Sequence, residues 1–314
     1  MPCRELRADH RGDHRADDRA DDSIALVPPL NVVVDAGVDD AVALAVLVGA
    51  GVDISQVIAT EGSVDLETTA SATTRFLASL GAPDVPVHLG ARSGITQPYP
   101  GGRDPFHGED AFGGFSAELI DAPIAARECS GIEGPVFASA ALTVIAEALR
   151  RGDRPSFLLW MGGAVACGGN TTAAAEFNAW MDPAAADEVF TSGMSVSMVP
   201  LDVTVPCEWH RSDIDALGQL GTAGRLLSKP VRIMCDRDGG FVPHDAVTAV
   251  ALLQPTLFQW CWRYVRCESE GTFSRGATIV DRRPQSPVAN VLVAEACERE
   301  AVRAAIFDAI RALG

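Results

Sequence analysis

From Asn31 onward the chain alternates short, unbroken apolar runs with stretches in which apolar residues return at helical spacing. Unbroken runs of roughly four to eight residues suit strands buried on both faces, and the longer periodic stretches suit the helices that cover them. Together they predict an α/β protein: a single open, mostly parallel central sheet flanked by helices, with a Rossmann-like core. Strands are expected at Val32–Asp35, Ile54–Thr60, Val85–Leu89, Val136–Ala138, Phe157–Met161 and Val196–Leu201, with further candidates at Ala277–Val280 and Val291–Val293. Helices are expected at Asp39–Gly49, Leu66–Leu80, near Leu142–Arg150, and near 212–228, 244–254 and 298–313. Residues 90–133, rich in Gly, Pro and charge, are expected to be loop around short helices.

Before Asn31 the pattern stops. Residues 7–22 read RADH, RGDH, RADD, RADD, a charged repeat with almost nothing apolar to bury. Residues 1–30 are therefore expected to be a disordered charged tail, with a short salt-bridged helix or a misplaced translation start as alternatives, and residues 31–314 a single folded domain.

A chain of 314 residues with 47% hydrophobic composition can bury a large core. Its formal charge of -17 repels polyanions, and no basic stripe offsets it, so nucleic acid is excluded as a partner. A neutral small molecule or a metal cation is acceptable to such a surface. No apolar run approaches the roughly 20 residues that span a bilayer, and no signal-type core follows the charged start, so a membrane is excluded and the cytoplasm is the expected location. The eight cysteines show neither CxxC pairs nor Cys/His knuckles, which points to reduced, buried thiols.

The chemistry starts at VVVDAGVDDAVAL, which puts Asp35 at the carboxyl end of a strand, Gly37 in a turn, and Asp39 and Asp40 in the first turn of a helix. That edge of an open α/β sheet is where ligands bind. Three carboxylates this close repel one another unless a cation or proton intervenes, and Ca²⁺, with about 6–8 oxygen ligands, is a natural partner. Helix capping accounts for Asp39 or Asp40 without a metal, and Mg²⁺-assisted phosphoryl transfer is the competing chemistry. Farther on, MGGAVACGGNTTAAAEFNAWMD (161–182) offers glycines for close backbone approach and Asn170, Glu176 and Asn178 for vicinal hydroxyls. In PHDAVTAV, His244 and Asp245 open a helix, where a cap beside a satisfied histidine is the default reading.

DAGVDDAVAL resembles the aspartate signature DTDPGxDDAxAL of the inosine-uridine preferring nucleoside hydrolase family, and the resemblance extends over nearly all of the chain after residue 30. It implies a nucleoside hydrolase-like catalytic domain with a small-molecule nucleoside as substrate and Ca²⁺ as cofactor. On that match Asp35 and Asp40 are calcium ligands, Asp35 is also the general base, and Asp39 binds ribose. Val33 stands where the pattern has its first aspartate, and Ala36 where it has proline. The 161–182 segment resembles the family's central signature, implying that Asn170, Glu176 and Asn178 hold the ribose, with Met161 nearby and Phe177 packed beside it; Ala173 replaces a common proline. PHDAVTAV implies a calcium ligand from Asp245 and leaving-base assistance from His244. SAALTVIAEAL resembles GPLTNLAxAL, which makes the backbone carbonyl of Thr143 a further ligand and puts Val144 in place of asparagine. FHGEDAFGG resembles HGxxGLG and places His107 near the base pocket; TEGSVDLETTA resembles TxAGNxxLExTT, with Ser63 for an asparagine on the ribose side. A homodimer or homotetramer is implied only by the family.

Cleavage of an N-glycosidic bond passes through an oxocarbenium-like ribosyl cation, so water must be activated, the cation stabilised and the base helped to leave. The segments expected to choose the base, 90–115 and 229–244, say little: the tyrosines are Tyr99 and Tyr264, so Phe241 is the candidate apolar lid. Val33, Ser63 and Val144 motivate an alternative, a catalytically impaired nucleoside- or pentose-binding protein on the same scaffold. A Mg²⁺ phosphohydrolase would need a basic phosphate clamp, and residues 31–65 contain no Arg or Lys.

Overall fold

The computed structural model describes residues 29–100, 107–124 and 126–314. The expectation of a tail therefore lies almost wholly outside the described residues. Strand β1 begins at Leu30, inside the segment assigned to that tail, because its leucine side chain joins the core.

Among the described residues, ten strands form one sheet: β1 (Leu30–Val34), β2 (Ile54–Ala59), β3 (Val87–Leu89), β4 (Arg127–Glu128), β5 (Glu133–Ala138), β6 (Arg154–Met161), β7 (Val196–Val199), β8 (Phe258–Cys267), β9 (Thr278–Asp281) and β10 (Val291–Cys297). Their order is β4-β3-β2-β1-β5-β6-β7-β10-β8-β9. The pairings from β4 to β10 are parallel, while β8 and β9 add an antiparallel end. The chain winds outward from β1 to β4, then returns to the other side of β1 to start β5. This reversal opens a crevice beyond the carboxyl ends of β1 and β5.

The helices are α1 (Val38–Gly49), α2 (Leu66–Ser79), α3 (Thr143–Arg151), α4 (Phe177–Met181), α5 (Pro183–Thr191), α6 (Leu201–Thr204), α7 (Arg211–Leu217), α8 (Gly221–Asp238), α9 (His244–Leu253) and α10 (Arg299–Arg311). Local chemistry sets several ends. Asp65 caps α2 by accepting from Thr68 N at 2.9 Å, and Asp182 caps α5 by accepting from Ala185 N at 3.1 Å. Gly152 and Gly239 close α3 and α8 in the left-handed region. One apolar cluster packs α1, α8, α9 and α10 on one face of the sheet, and a second packs α3 and α5 on the other.

Two expectations change, and β8 is a strand that was not expected. The helix expected near 212–228 is two helices, broken at Gly218, and the second continues through Pro230 to Asp238. Strand β8 carries no clear apolar run, because Trp, Cys and Arg alternate on a half-buried face. The strand expected at Val196–Leu201 stops at Val199, and Leu201 opens α6. The described cysteines are free thiols, with Cys207 Sγ and Cys297 Sγ in contact at 3.4 Å. Among the described residues no helix is long and apolar enough to cross a membrane.

Helices α1 and α10 meet at Gly49, where a Cβ would overlap the backbone carbonyl of Ala309. Backbone cannot move aside as a side-chain tip can. Gly49→Ala is expected to cost about 1–3 kcal/mol in denaturant unfolding despite its better helix propensity; equal or greater stability would show that the two helices do not pack as described.

Candidate active site

The crevice is furnished first by the turn from β1 into α1. Asp35 follows the strand, Ala36 adopts φ 54°, and Gly37 precedes the helix. A left-handed alanine costs about 1 kcal/mol. Proline, with φ held near -65°, could not adopt this turn, so Ala36 is more than a neutral replacement for the family's proline. Asp40 turns back to accept from Gly37 N at 2.6 Å, and Ser139, just past β5, donates to its other oxygen at 2.6 Å. Val38 N donates to His107 Nδ1 at 3.0 Å, so the neutral imidazole carries its proton on Nε2. The Asp35 carboxylate lies over Gly62, where any Cβ would collide with it.

Asp245 arrives from the first turn of α9, far away in sequence. Carboxylate oxygens of Asp39, Asp40 and Asp245 all lie within 4.8 Å of one another. Burial, then the charges of Asp40 and Asp39, push Asp35 well above the usual carboxylate range. Burial and the charge of Asp39 bring Asp40 to about 7. Asp245 is raised well above that range by burial and by Asp39, Asp40 and Asp35. Such a cluster needs an opposing charge, and all-oxygen donors suit a hard divalent cation.

The opposite wall comes from the segment around α4. Glu176 caps that helix, accepting from Asn178 N at 2.9 Å and Ala179 N at 3.0 Å, and it also accepts from Gly163 N at 2.8 Å. Burial raises its pKa, and these three donors oppose the shift. Asn178 Nδ2 donates to the Met161 carbonyl at 3.1 Å, which fixes the amide and leaves its Oδ1 buried without a hydrogen-bond partner. An orphaned buried carbonyl costs about 1–3 kcal/mol unless a ligand hydroxyl or a cation answers it. Asn170 Oδ1 accepts from Phe177 N at 2.9 Å. Across the cavity, His244 Nδ1 and Thr204 Oγ1 are 2.7 Å apart, and burial lowers the His244 pKa.

These groups enclose a cavity of about 310 Å³. Asp35, Asp39, Asp40, Ser63, His107, Met161, Asn170, Glu176, Phe177, Asn178, His244 and Asp245 all line it, as does Phe241. Thr143 is not among the lining residues; its hydroxyl accepts from Tyr99 OH at 2.9 Å and donates to Asp182 at 2.7 Å. The metal-type cluster contains Asp39, which the sequence reading gave to ribose, while Asp35 lies against Asp40. Sequence reasoning missed Ser139, Glu208, Met234, Asp238 and Val242 as lining residues. Only Ser139 had a signal, as the polar residue ending β5 and opening SAALTVIAEAL.

Fold and cavity together define an α/β protein that gathers acids and amides at a topological switch point, a donor set chemically suited to hydroxyl groups. The sequence model of the inosine-uridine preferring nucleoside hydrolase family matches residues 32–304, and the chain belongs to that family. It is 32% identical over 280 residues to the pyrimidine-specific ribonucleoside hydrolase RihA of Klebsiella pneumoniae, a match covering 81% of this chain and 88% of the relative. Among solved structures it is similar to a purine-preferring ribonucleoside hydrolase from Gardnerella vaginalis, with TM-score 0.81, 26% identity and coverage of 91% and 99%. A plant nucleoside hydrolase also reaches TM-score 0.81 at 25% identity, covering 90% and 99%. The protein is thus an N-glycosidase that hydrolyses ribonucleosides.

Asp245→Asn removes one buried charge from the repelling cluster and leaves the shape unchanged. In metal-stripped protein it is expected to raise the melting temperature, by about 2 °C per kcal/mol relieved, while divalent-ion binding measured by calorimetry is lost. Full ion binding in the variant would contradict the role of this carboxylate.

Proposed function

We propose that the protein is a calcium-dependent ribonucleoside hydrolase that releases free nucleobase and ribose, with the ribose seated on the buried floor of the cavity. The observation that carries this reading is the meeting of Asp40 and Asp245, 205 positions apart in the chain, in a cavity that Asn178, with its Oδ1 unpartnered, also lines. Asp35, Asp40, Asp245 and the carbonyl of Thr143 are the proposed calcium ligands, with Asp39 close enough to join them or to hold a ribose hydroxyl. Bound Ca²⁺ would neutralise the carboxylates and polarise both a water and the sugar hydroxyls.

Asp35 takes the proton from the attacking water. Its burial among other acids makes it a stronger proton acceptor than a solvated aspartate. Asn170, Glu176 and Asn178 orient the sugar, and Glu176 with Asp39 places negative charge near the developing ribosyl cation. Their backbone anchors keep these side chains in place before substrate arrives. Ser63 reaches less far than the family's asparagine, so one contact with the sugar is lost or passes to water. His244, neutral at neutral pH because it is desolvated, offers Nε2–H to the departing base when Thr204 donates to its Nδ1. Phe241 and Met234 give the base an apolar surface. Self-association into a homodimer or homotetramer finds support in the exposed Trp262 and Val288, which share a surface groove at the antiparallel end of the sheet. Free thiols fit a cytoplasmic location.

A panel of purine and pyrimidine ribosides, assayed for reducing sugar with and without a chelator, tests the reading. Turnover is expected to vanish with the chelator and to return with Ca²⁺; chelator-resistant turnover removes the metal from the reaction. Asp35→Asn is expected to keep affinity for a ribose analogue and to lose at least about a hundredfold in kcat, and an unchanged kcat removes Asp35 from the base role. His244→Ala is expected to slow nucleosides with poor leaving bases more than p-nitrophenyl riboside. Equal losses on both would argue against assistance to the base.

A further inference from the structure

The cavity has two ends of different character. Its floor is buried: Asp35, Asp40, Glu176, Asn178 and Asp245 are each no more than 6% exposed. Its mouth includes Glu208 and Asp238, whose side chains are 45% and 38% exposed. Among the described residues, no lysine or arginine lines the cavity at either end. A ribose on the floor, as proposed above, directs its base toward this acidic mouth, and the selectivity argued here depends on that orientation.

The two mouth acids differ in their partners. Asp238 is held by its neighbour Arg237, whose Nε and Nη2 donate to it at 3.0 Å and 2.8 Å. Among the described residues, the cation nearest Glu208 is His210, whose Nε2 lies at 3.9 Å, beyond hydrogen-bond reach. Its carboxylate rests on the backbone of Gly240, itself a lining residue, and any side chain at Gly240 would displace it. The backbone around it is pinned by the reciprocal hydrogen bonds of Trp209 and Phe241, 2.7 Å and 2.9 Å long. The mouth therefore presents a carboxylate, Glu208, to which no cation among the described residues is hydrogen-bonded.

We propose that this mouth selects ribosides whose base carries a positive charge, N-ribosyl pyridinium compounds being the simplest class. Glu208 attracts such a base and repels an anionic one. The chemistry agrees with the setting. The C–N bond breaks with its electron pair going to the ring nitrogen, so the base leaves neutral and needs no proton. Water oxygen bonds to the anomeric carbon and its proton passes to the carboxylate base on the floor and then to solvent. One cationic riboside and one water yield a neutral base, ribose and one proton.

Nicotinamide riboside and nicotinic acid riboside make a matched pair, since the second carries a carboxylate in place of the carboxamide on the same pyridinium and so has no net charge on its base. With the full chain and Ca²⁺ present, kcat/KM is expected to favour the nicotinamide compound by about fivefold or more, a ratio that shrinks in roughly 0.5 M salt. Glu208→Gln is expected to lower the ratio about fivefold. Glu188→Gln, which makes the same change in net charge on α5 and away from any groove that Glu208 lines, is expected to leave it unaltered. Uridine serves as the activity standard. If uridine is cleaved and the ratio stays near one, or does not respond to Glu208→Gln, the selectivity is wrong while the hydrolase reading stands. If no riboside is cleaved, the hydrolase reading fails and the selectivity falls with it.

Discussion

Mutual repulsion among buried carboxylates is the constraint around which this molecule is arranged. At about 5 Å and an effective dielectric near 20, each like-charged pair costs roughly 3 kcal/mol. Asp39, Asp40 and Asp245 form such a group, with Asp35 against it. The fold reduces this cost in several ways. Asp39 and Asp40 sit in the first turn of α1 and Asp245 in the first turn of α9, where the helix dipole favours negative charge. Asp40 also receives hydrogen bonds from Gly37 and Ser139. What remains uncompensated favours a divalent ion. The binding energy of that ion would also hold together elements distant in the chain.

The rest of the cavity follows from keeping polar side chains rigid without satisfying them fully. Glu176 is anchored by three backbone donors, and Asn178 is fixed through its amide nitrogen while its oxygen stays open. Glycines make room for this arrangement: Gly62 beneath Asp35 and Gly240 beneath Glu208 lie where a Cβ would displace a carboxylate. The strained φ of Ala36 belongs to the same economy, since it turns the chain sharply enough to put Asp35 and Asp40 in contact.

The scaffold that carries these groups is a doubly wound sheet whose reversal lies between β1 and β5. Asp35 extends one of these strands and Ser139 the other, so the crevice between them receives both. Helix α9 brings Asp245 and His244 to the same place because it packs on α1. Separation between a closed acidic floor and an open mouth gives the protein two independent handles on a riboside, one for the sugar and one for the base.

Much of this was legible in the residues. Unbroken apolar runs such as VVV and FLLWM read as buried strands, and Asp35, Asp39, Asp40, Asn170, Glu176, Asn178, His244 and Asp245 stand in short motifs whose local spacing made each a candidate; the cavity contains all of them. Other features depend on contacts that spacing does not encode. Strand β8 takes its place through pairing with β10 rather than through its own hydropathy, and the break at Gly218 divides a helix that periodicity alone would have joined. Ser139 reaches Asp40 only because β5 lies beside β1, and Glu208, Met234 and Asp238 reach the cavity only through the packing of α7, α8 and the Trp209–Phe241 bridge. The sequence by itself determined the sheet, its covering helices and the acids available to the site. Which acids meet, which hydrogen-bonding atom stays unanswered, and which carboxylate guards the entrance were decided by tertiary structure, because repulsion, hydrogen bonding and burial act through distances in space and not along the chain.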